Sequence, residues 1–371
     1  MPSTLHPIDS AMEKAVKDGV FPGASLLVGK GDKTLWNKVY GSAQLTPKKR
    51  SVEPSTFFDI ASLTKPIATA TLFMLAFEEK KYAMDDPLKK FFPAAIQKGI
   101  TLRHLLNHTS GLPSWKPYFS ELLELAPGWV TDEKGGRWLV DKIGTEPQEQ
   151  KAGEKVVYSD LGYILLGGIL EQIYGQSLDV LFDERVAKPM NLRSTFFNPL
   201  LRHRQMRDPH PEHFAATEKC PWRQKILCGE VMDDHAYVMG GIAGHAGLFS
   251  TAGDIQKWIC ELHCAQNGKS SLISKDSFAL FCAVPQKRDL TIPYFALGFD
   301  TPSRDSSAGA HFSPRSIGHL GYSGCSFWWD LDKDISIILL TNRVHPSREN
   351  QKIKEFRPQI HDRIMESLGL T

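Results

Sequence analysis

The sequence predicts an α/β (α+β) fold: one antiparallel sheet built from both ends of the chain and flanked by helices, with a mostly helical lobe inserted between its halves. Three observations carry this. β-Forming residues concentrate in two runs near the N-terminus, Ala24–Val28 and Thr34–Val39, and in two near the C-terminus, Ser326–Leu331 and Ile335–Thr341. Between them, the strongest apolar patterns recur at helical spacing. The chain has 371 residues, 42% of them hydrophobic, which exceeds the ~100–200 residues of a common single domain and supports two lobes. Residues 1–60 and 240–371 are expected to form the sheet lobe and residues 61–239 the inserted lobe, with the functional cleft at their interface.

In chain order, residues 8–19 are amphipathic and stop near Gly19, as a helix would. The first two β runs enclose the turn Gly29-Lys30-Gly31-Asp32, a hairpin signal. Ser62 to Glu79 is helical and strongly apolar. Leu102–Asn107 and Tyr158–Tyr174 are further helices, separated by long Pro- and Gly-containing loops, and residues 200–225 are irregular. The last two β runs enclose a turn at Asp332-Lys333-Asp334, and Gln351–Leu368 reads as a closing helix. There is no internal repeat or low-complexity segment.

The 44 basic and 42 acidic side chains leave a net charge of +2. That balance offers neither nucleic acid nor an anionic membrane an electrostatic partner surface. No stretch approaches the ~18 uninterrupted apolar residues of a membrane span. The start, Met1-Pro2-Ser3-Thr4-Leu5-His6-Pro7, lacks the basic opening and apolar core of a secretory signal, so a cytoplasmic location is expected. Six cysteines are too few and too irregularly spaced for a disulfide scaffold or zinc knuckles. Cys260 and Cys264, at i and i+4, are expected to stay reduced and half-buried. The histidines of Arg202-His203-Arg204 and His210-Pro211-Glu212-His213 read as a solvated loop rather than metal ligands, because Pro209 and Pro211 oppose the helix that would align them.

The sharpest local signal is Ser62-Leu63-Thr64-Lys65, since no other serine has a lysine three positions later. On a helix these two share a face, so the amine can reach the hydroxyl. A serine alcohol needs a base to become a nucleophile. Lysine serves if desolvation or a neighbouring positive charge lowers its pKa toward neutrality, and apolar neighbours such as Phe58, Ile60 and Ile67 suit that expectation. Pro66 is tolerated only in a helix's first turn, which puts Ser62 near the N-terminal end, where free N–H groups favour a developing oxyanion. Tyr158-Ser159-Asp160 sits at a loop-to-helix junction; it can present a phenol and a carboxylate to a cleft, or Asp160 can simply cap the helix. In Gly318-His319-Leu320-Gly321-Tyr322-Ser323-Gly324 the density of glycines suggests close approach of a backbone or ligand, with an ordinary edge strand as the plain alternative.

In this order and spacing, the three motifs resemble those of the penicillin-recognising serine hydrolases: class C β-lactamases, low-molecular-weight DD-peptidases, and related esterases and D-aminopeptidases. Phe57-Phe58-Asp59-Ile60-Ala61-Ser62, the stretch from Thr101 to Pro113 and the stretch from Gly240 to Thr251 resemble that family too. The resemblance implies a β-lactamase/transpeptidase-like fold and an acyl-enzyme hydrolase of small amides or esters, with no cofactor and no metal. Ser62 would be the nucleophile and Lys65 its proton partner. Tyr158 would shuttle protons to the leaving group, and the backbone N–H groups of Ser62 and Tyr322 would form the oxyanion hole. Asp160, His319, Gly321 and Ser323 would contact a small-molecule or peptide substrate. His104 and His108 would be structural, and His245 would line the cleft or serve its glycine-rich turn.

Two positions depart from the β-lactamase pattern. Asp160 stands where Asn is usual and His319 where Lys is usual, which weakens the case for efficient β-lactam hydrolysis. A D-amino-acid peptidase and a carboxylesterase both remain open. A partly charged His319 would add an inflection on the acidic side of the pH profile by holding a substrate carboxylate. The alternative from another class is a catalytically silent scaffold or sensor with the same fold. The oligomeric state is not set by any of these features.

Overall fold

The computed structural model describes residues 6–285, 289–291, 293–304 and 306–371. Helix α1 (His6–Lys17) leads into strands β1 (Gly23–Lys30), β2 (Lys33–Gln44) and β3 (Arg50–Ser51), and then into the two-residue strand β4 (Phe58–Asp59). The central region holds α2 (Thr71–Glu78), α3 (Leu102–Leu106), α4 (Tyr118–Leu125), α5 (Glu133–Gly144), α6 (Asp160–Tyr174) and α7 (Leu178–Phe182). Next come β5 (Phe196–Phe197), β6 (Lys219–Cys220), β7 (Lys225–Ile226), α8 (Asp234–Val238) and β8 (Leu248–Ser250). The chain closes through α9 (Ala252–Gln266), α10 (Lys275–Phe281), β9 (Ser316–Leu320), β10 (Ser326–Asp330), β11 (Ile335–Thr341) and α11 (Ile353–Ser367).

The main sheet runs β3-β2-β1-β11-β10-β9, with every pair antiparallel. N- and C-terminal strands meet at its centre, where β1 pairs β11 from Ala24↔Thr341 to Lys30↔Ile335. Every residue of β11 is buried, because both sheet faces are covered; a strand so placed reads as a continuous apolar run instead of alternating. On one face Leu26, Val28, Ile337 and Leu339 pack with Ile8 and Met12 of α1 and Ile360 and Ile364 of α11. On the other, Leu27, Ile338 and Leu340 join Trp258 of α9 and the central helices in the largest core. The first hairpin turns tighter than expected: pairing continues to Lys30↔Lys33, leaving Gly31, at φ 57°, to take the left-handed conformation the turn requires.

Two further differences follow from local chemistry. The apolar segment from Ser62 is not one helix. A 3₁₀ turn, Ala61–Leu63, passes into a π-helical stretch, Lys65–Ala70, before regular α2 begins. Pro66 cannot donate to the ladder, and the Thr71 hydroxyl donates to its carbonyl at 2.9 Å. Secondly, the region read as a loop between residues 114 and 152 contains α4 and α5. Gly135 and Gly136 obscure α5 in sequence, yet a Cβ at Gly135 would lie 2.3 Å from the Trp129 carbonyl oxygen, so packing requires the glycine.

A second sheet, β4-β8-β5, lies at the foot of the Ser62 turn. It pairs Phe58 with Ser250 and Phe196 with Phe249, and the rings of Phe196, Phe214 and Phe249 pack together there.

Candidate active site

Ser62 follows Ala61, which holds a positive φ of 48°, a conformation alanine seldom adopts and one that must be held by its surroundings. The Asp59 carboxylate does part of that, accepting the Ala61 N–H at 2.9 Å and the Met232 N–H at 2.8 Å. Thr64 does the rest: its hydroxyl donates to the Ala61 carbonyl at 2.7 Å and accepts the Leu248 N–H at 3.2 Å. Burial raises the Asp59 carboxyl to about 6, against the pull of those two N–H groups.

Lys65 is fully buried, and its ammonium has three oxygen acceptors: Ser62 Oγ at 2.9 Å, Asp160 Oδ1 at 2.7 Å and the His245 carbonyl at 3.2 Å. The expected lowering of its pKa is reversed. Burial pulls it down, but the Asp160 carboxylate and the Tyr158 phenol outweigh burial and hold Lys65 above the ordinary lysine value. Among the described residues no positive charge adjoins it to do the opposite work. At rest, therefore, Lys65 is an ammonium ion paired with Asp160. Burial likewise raises Tyr158, against the pull of Lys65, so it rests as a neutral phenol.

Tyr158 is placed by its neighbours in the chain. Val157 N–H donates to the His108 carbonyl at 2.8 Å, Ser159 N–H to His108 Nδ1 at 3.1 Å, and Ser159 Oγ to the Pro113 carbonyl at 2.6 Å. The Tyr158 ring lies against His108, 4.5 Å between centroids, with Lys65 Nζ 4.9 Å from the ring centre. Ser159, not Asp160, caps α6, accepting the Gly162 N–H at 3.3 Å. Asp160 is thereby free to serve Lys65. His104 belongs to the cap of α3, where its Nδ1 accepts the Thr101 N–H at 3.2 Å.

The third motif arrives from β9. His319 is buried, with Nδ1 2.9 Å from the Leu320 carbonyl and Nε2 without a partner among the described residues. Burial and the nearby Lys65 lower it to about 3. It is neutral throughout the physiological range, in place of the partial charge expected, so no inflection from His319 should appear between pH 5 and 8 in a kcat/KM profile. A wild-type inflection there that vanishes in His319→Gln would contradict this.

Beyond β9, Gly321 N–H donates to the Cys325 carbonyl at 2.7 Å, turning the chain so that Tyr322, half-exposed, faces outward. A Cβ at Gly321 would stand 2.5 Å from the Ile60 carbonyl oxygen, so only glycine lets this turn rest directly on the segment that leads into Ser62. Gly321→Ala is expected to cost about 100-fold in acylation rate, the scale of a ~1 Å displacement, with the fold retained. An unchanged rate, measured in stopped flow, would show that the contact is immaterial.

Ser62, Tyr158, Asp160, His319, Gly321 and Tyr322 line one cavity of about 660 Å³. Ser323 does not join them: it is buried beneath the turn, its carbonyl accepting the Arg343 N–H at 3.1 Å, which removes it from the expected substrate contacts. The sequence reading also overlooked Asp59, Arg343 and Arg357. Asp59 stands within the stretch around Ser62; the arginines follow β11 and lie on α11, with no local pattern to single them out. The histidines of the 202–213 stretch pair with carboxylates, His203 with Glu133, His210 with Glu212 and His213 with Asp208.

A serine held by a buried lysine, with a tyrosine beside both in one cleft between sheet and helices, defines a serine hydrolase of the β-lactamase fold. The family model described as Beta-lactamase matches residues 8–361, and the chain belongs to that family. It is 31% identical to an N-acetylmuramyl-L-alanine amidase of Bacillus subtilis (strain 168), over 92% of this chain and 81% of that protein. It is equally 31% identical to an Escherichia coli (strain K12) protein provisionally named D-alanyl-D-alanine carboxypeptidase, over 94% of this chain and 84% of the relative. Among solved structures it resembles the octameric penicillin-binding protein homologue from Pyrococcus abyssi, with a TM-score of 0.74 and 20% identity over 98% of this chain and 77% of that one. It also resembles EstCE1, a hydrolase with promiscuous acyltransferase activity, with a TM-score of 0.72 and 21% identity over 96% and 98% of the two chains.

Proposed function

We propose that this chain is an acyl-enzyme peptidase of the carboxypeptidase type, acting on small peptides that end in a free carboxylate. The observation that carries this is a pair of buried guanidinium groups in the wall of the Ser62 cavity. Arg343 and Arg357 are each 4% exposed. Arg343 donates to the carbonyls of Tyr322, Arg348 and Asn350, and Arg357 to that of Gly324. Among the described residues the buried Nε of each has no partner and neither guanidinium has a carboxylate. Burial lowers Arg357 to about 10, still charged at neutral pH. Buried cations without a counter-ion are costly unless a ligand supplies one, and a substrate carboxylate in the cavity would do so.

In this reading Ser62 Oγ attacks the amide carbonyl, and the N–H groups of Ser62 and Tyr322 receive the oxyanion. The base is Lys65 once its ammonium, held 2.7 Å from Asp160, has lost its proton to solvent. Substrate that expels water disfavours the charged ammonium and so promotes that loss. Tyr158 returns a proton to the departing amine, and water then frees the acyl group by the same route. The reactive form is the deprotonated one, so kcat/KM should rise toward alkaline pH. Asp160→Asn removes the charge that raises Lys65, and the acidic limb of the profile should move to lower pH. A limb that stays in place would exclude Lys65 as the titrating base.

The substrate class is tested with D-alanyl-D-alanine peptides carrying a free or an amidated C-terminus, against neutral p-nitrophenyl esters. The free carboxylate should be preferred at least about tenfold, worth ~1.4 kcal/mol, and Arg343→Gln or Arg357→Gln should erase that preference. Faster turnover of the neutral ester, untouched by either substitution, would make the chain a carboxylesterase. We also propose a reducing, cytoplasmic setting, supported by six cysteines that are all free. No helix among the described residues is long and apolar enough to cross a membrane.

A further inference from the structure

Next to the nucleophile, one cluster of side chains takes no part in that chemistry. Asp233 caps α8, His235 lies in its first turn, and His245 precedes β8. One potential ligand atom from each lies within 4.8 Å of the others. His245 Nε2 meets Asp233 Oδ1 at 2.8 Å, and the Ala236 N–H donates to the same oxygen at 2.8 Å. An imidazole–carboxylate pair accounts for those two residues. It leaves His235 unexplained.

His235 is completely buried, in a cage that includes Trp115 and Phe119, and neither ring nitrogen makes a hydrogen bond among the described residues. The Lys116 backbone approaches the ring without forming one. His245 Nδ1 is buried and, among the described residues, unpartnered as well. Dry, unpaired polar ring atoms are unfavourable and rare in native interiors, and a bound ion is one thing that removes the penalty.

We propose that Asp233, His235 and His245 form a binding site for a divalent metal ion of the zinc type. Two imidazoles and one carboxylate suit a borderline cation, whereas magnesium and calcium favour oxygen ligands alone. Asp233 also lines the Ser62 cavity, so a fourth position can be filled from that side by water or by a substrate donor. The His245 carbonyl holds Lys65 at 3.2 Å, which places the site one residue's backbone away from the nucleophile's partner.

The test is binding, not activity, so it is independent of the Ser62 reading. Untagged, chelator-treated protein is titrated with zinc chloride by calorimetry, with metal analysis after equilibrium dialysis. Wild type should bind one zinc per chain, and His235→Phe, which keeps the ring volume, should weaken binding at least about tenfold. A His203→Asn/His210→Asn/His213→Asn variant should bind like wild type. Cobalt(II) should give intense visible absorption bands with wild type that His235→Phe lacks. Substoichiometric binding, or equal binding by His235→Phe, would overturn the proposal. If circular dichroism shows that His235→Phe is unfolded, His235→Asn replaces it in the same titration: weakened binding supports the site and undiminished binding overturns it.

Discussion

A Ser62→Ala variant is expected to lose on the order of 10⁴-fold or more in turnover while melting within about 2 °C of wild type. The large loss follows from chemistry: among the described residues no other atom in the cleft combines exposure to substrate with a buried amine 2.9 Å away. The small structural effect follows from geometry, because Asp59 and Thr64, not the Ser62 hydroxyl, hold the strained turn. Intact-protein mass spectrometry gives the most direct reading. Wild type incubated with a fluorescent penicillin, or separately with a fluorophosphonate, should gain one adduct that Ser62→Ala lacks. Labelling by penicillin as well as fluorophosphonate supports the peptidase reading. A wild type that neither reagent labels would make the chain the silent scaffold of the same fold.

Replacing Lys65 separates function from stability. Lys65→Met is expected to slow acylation by ~10³-fold or more, since on the proposed mechanism it removes both the base and the Ser62 partner. The double variant Lys65→Met/Asp160→Asn should be equally inactive but no less stable than wild type, and up to ~1–4 kcal/mol more stable. The ammonium is fully buried and the Asp160 side chain is 22% exposed, so desolvation of the pair offsets much of its attraction. Chemical denaturation and stopped-flow acylation measure the two quantities separately. A double variant markedly less stable than wild type would mean that the ion pair holds the fold together as well as serving the reaction.

Much of this was legible in the chain itself. The four β runs, the capping glycines and the apolar periodicity predicted a sheet closed by both termini, because burial on one or two faces leaves a direct imprint on residue order. Ile335–Thr341 is the plainest case: seven residues of β-forming or small character became a strand buried throughout. Ser62-x-x-Lys65 was legible because its partners share one turn. Helix α5 was not, because Gly135 answers to the Trp129 backbone, which no local pattern reveals.

Sequence alone determined which groups could react: a serine, a lysine, a tyrosine, and the departures at Asp160 and His319. Only the tertiary structure decided their charge states and company. Residues 95 apart in the chain made Lys65 an ion pair instead of a free amine, burial made His319 neutral, and the turn after β9 took Ser323 out of the cleft. The buried arginines and the Asp233, His235 and His245 cluster likewise exist only as neighbours in space. Identity of a side chain is local, whereas its pKa and its partners depend on dielectric and distance, and the fold alone sets both.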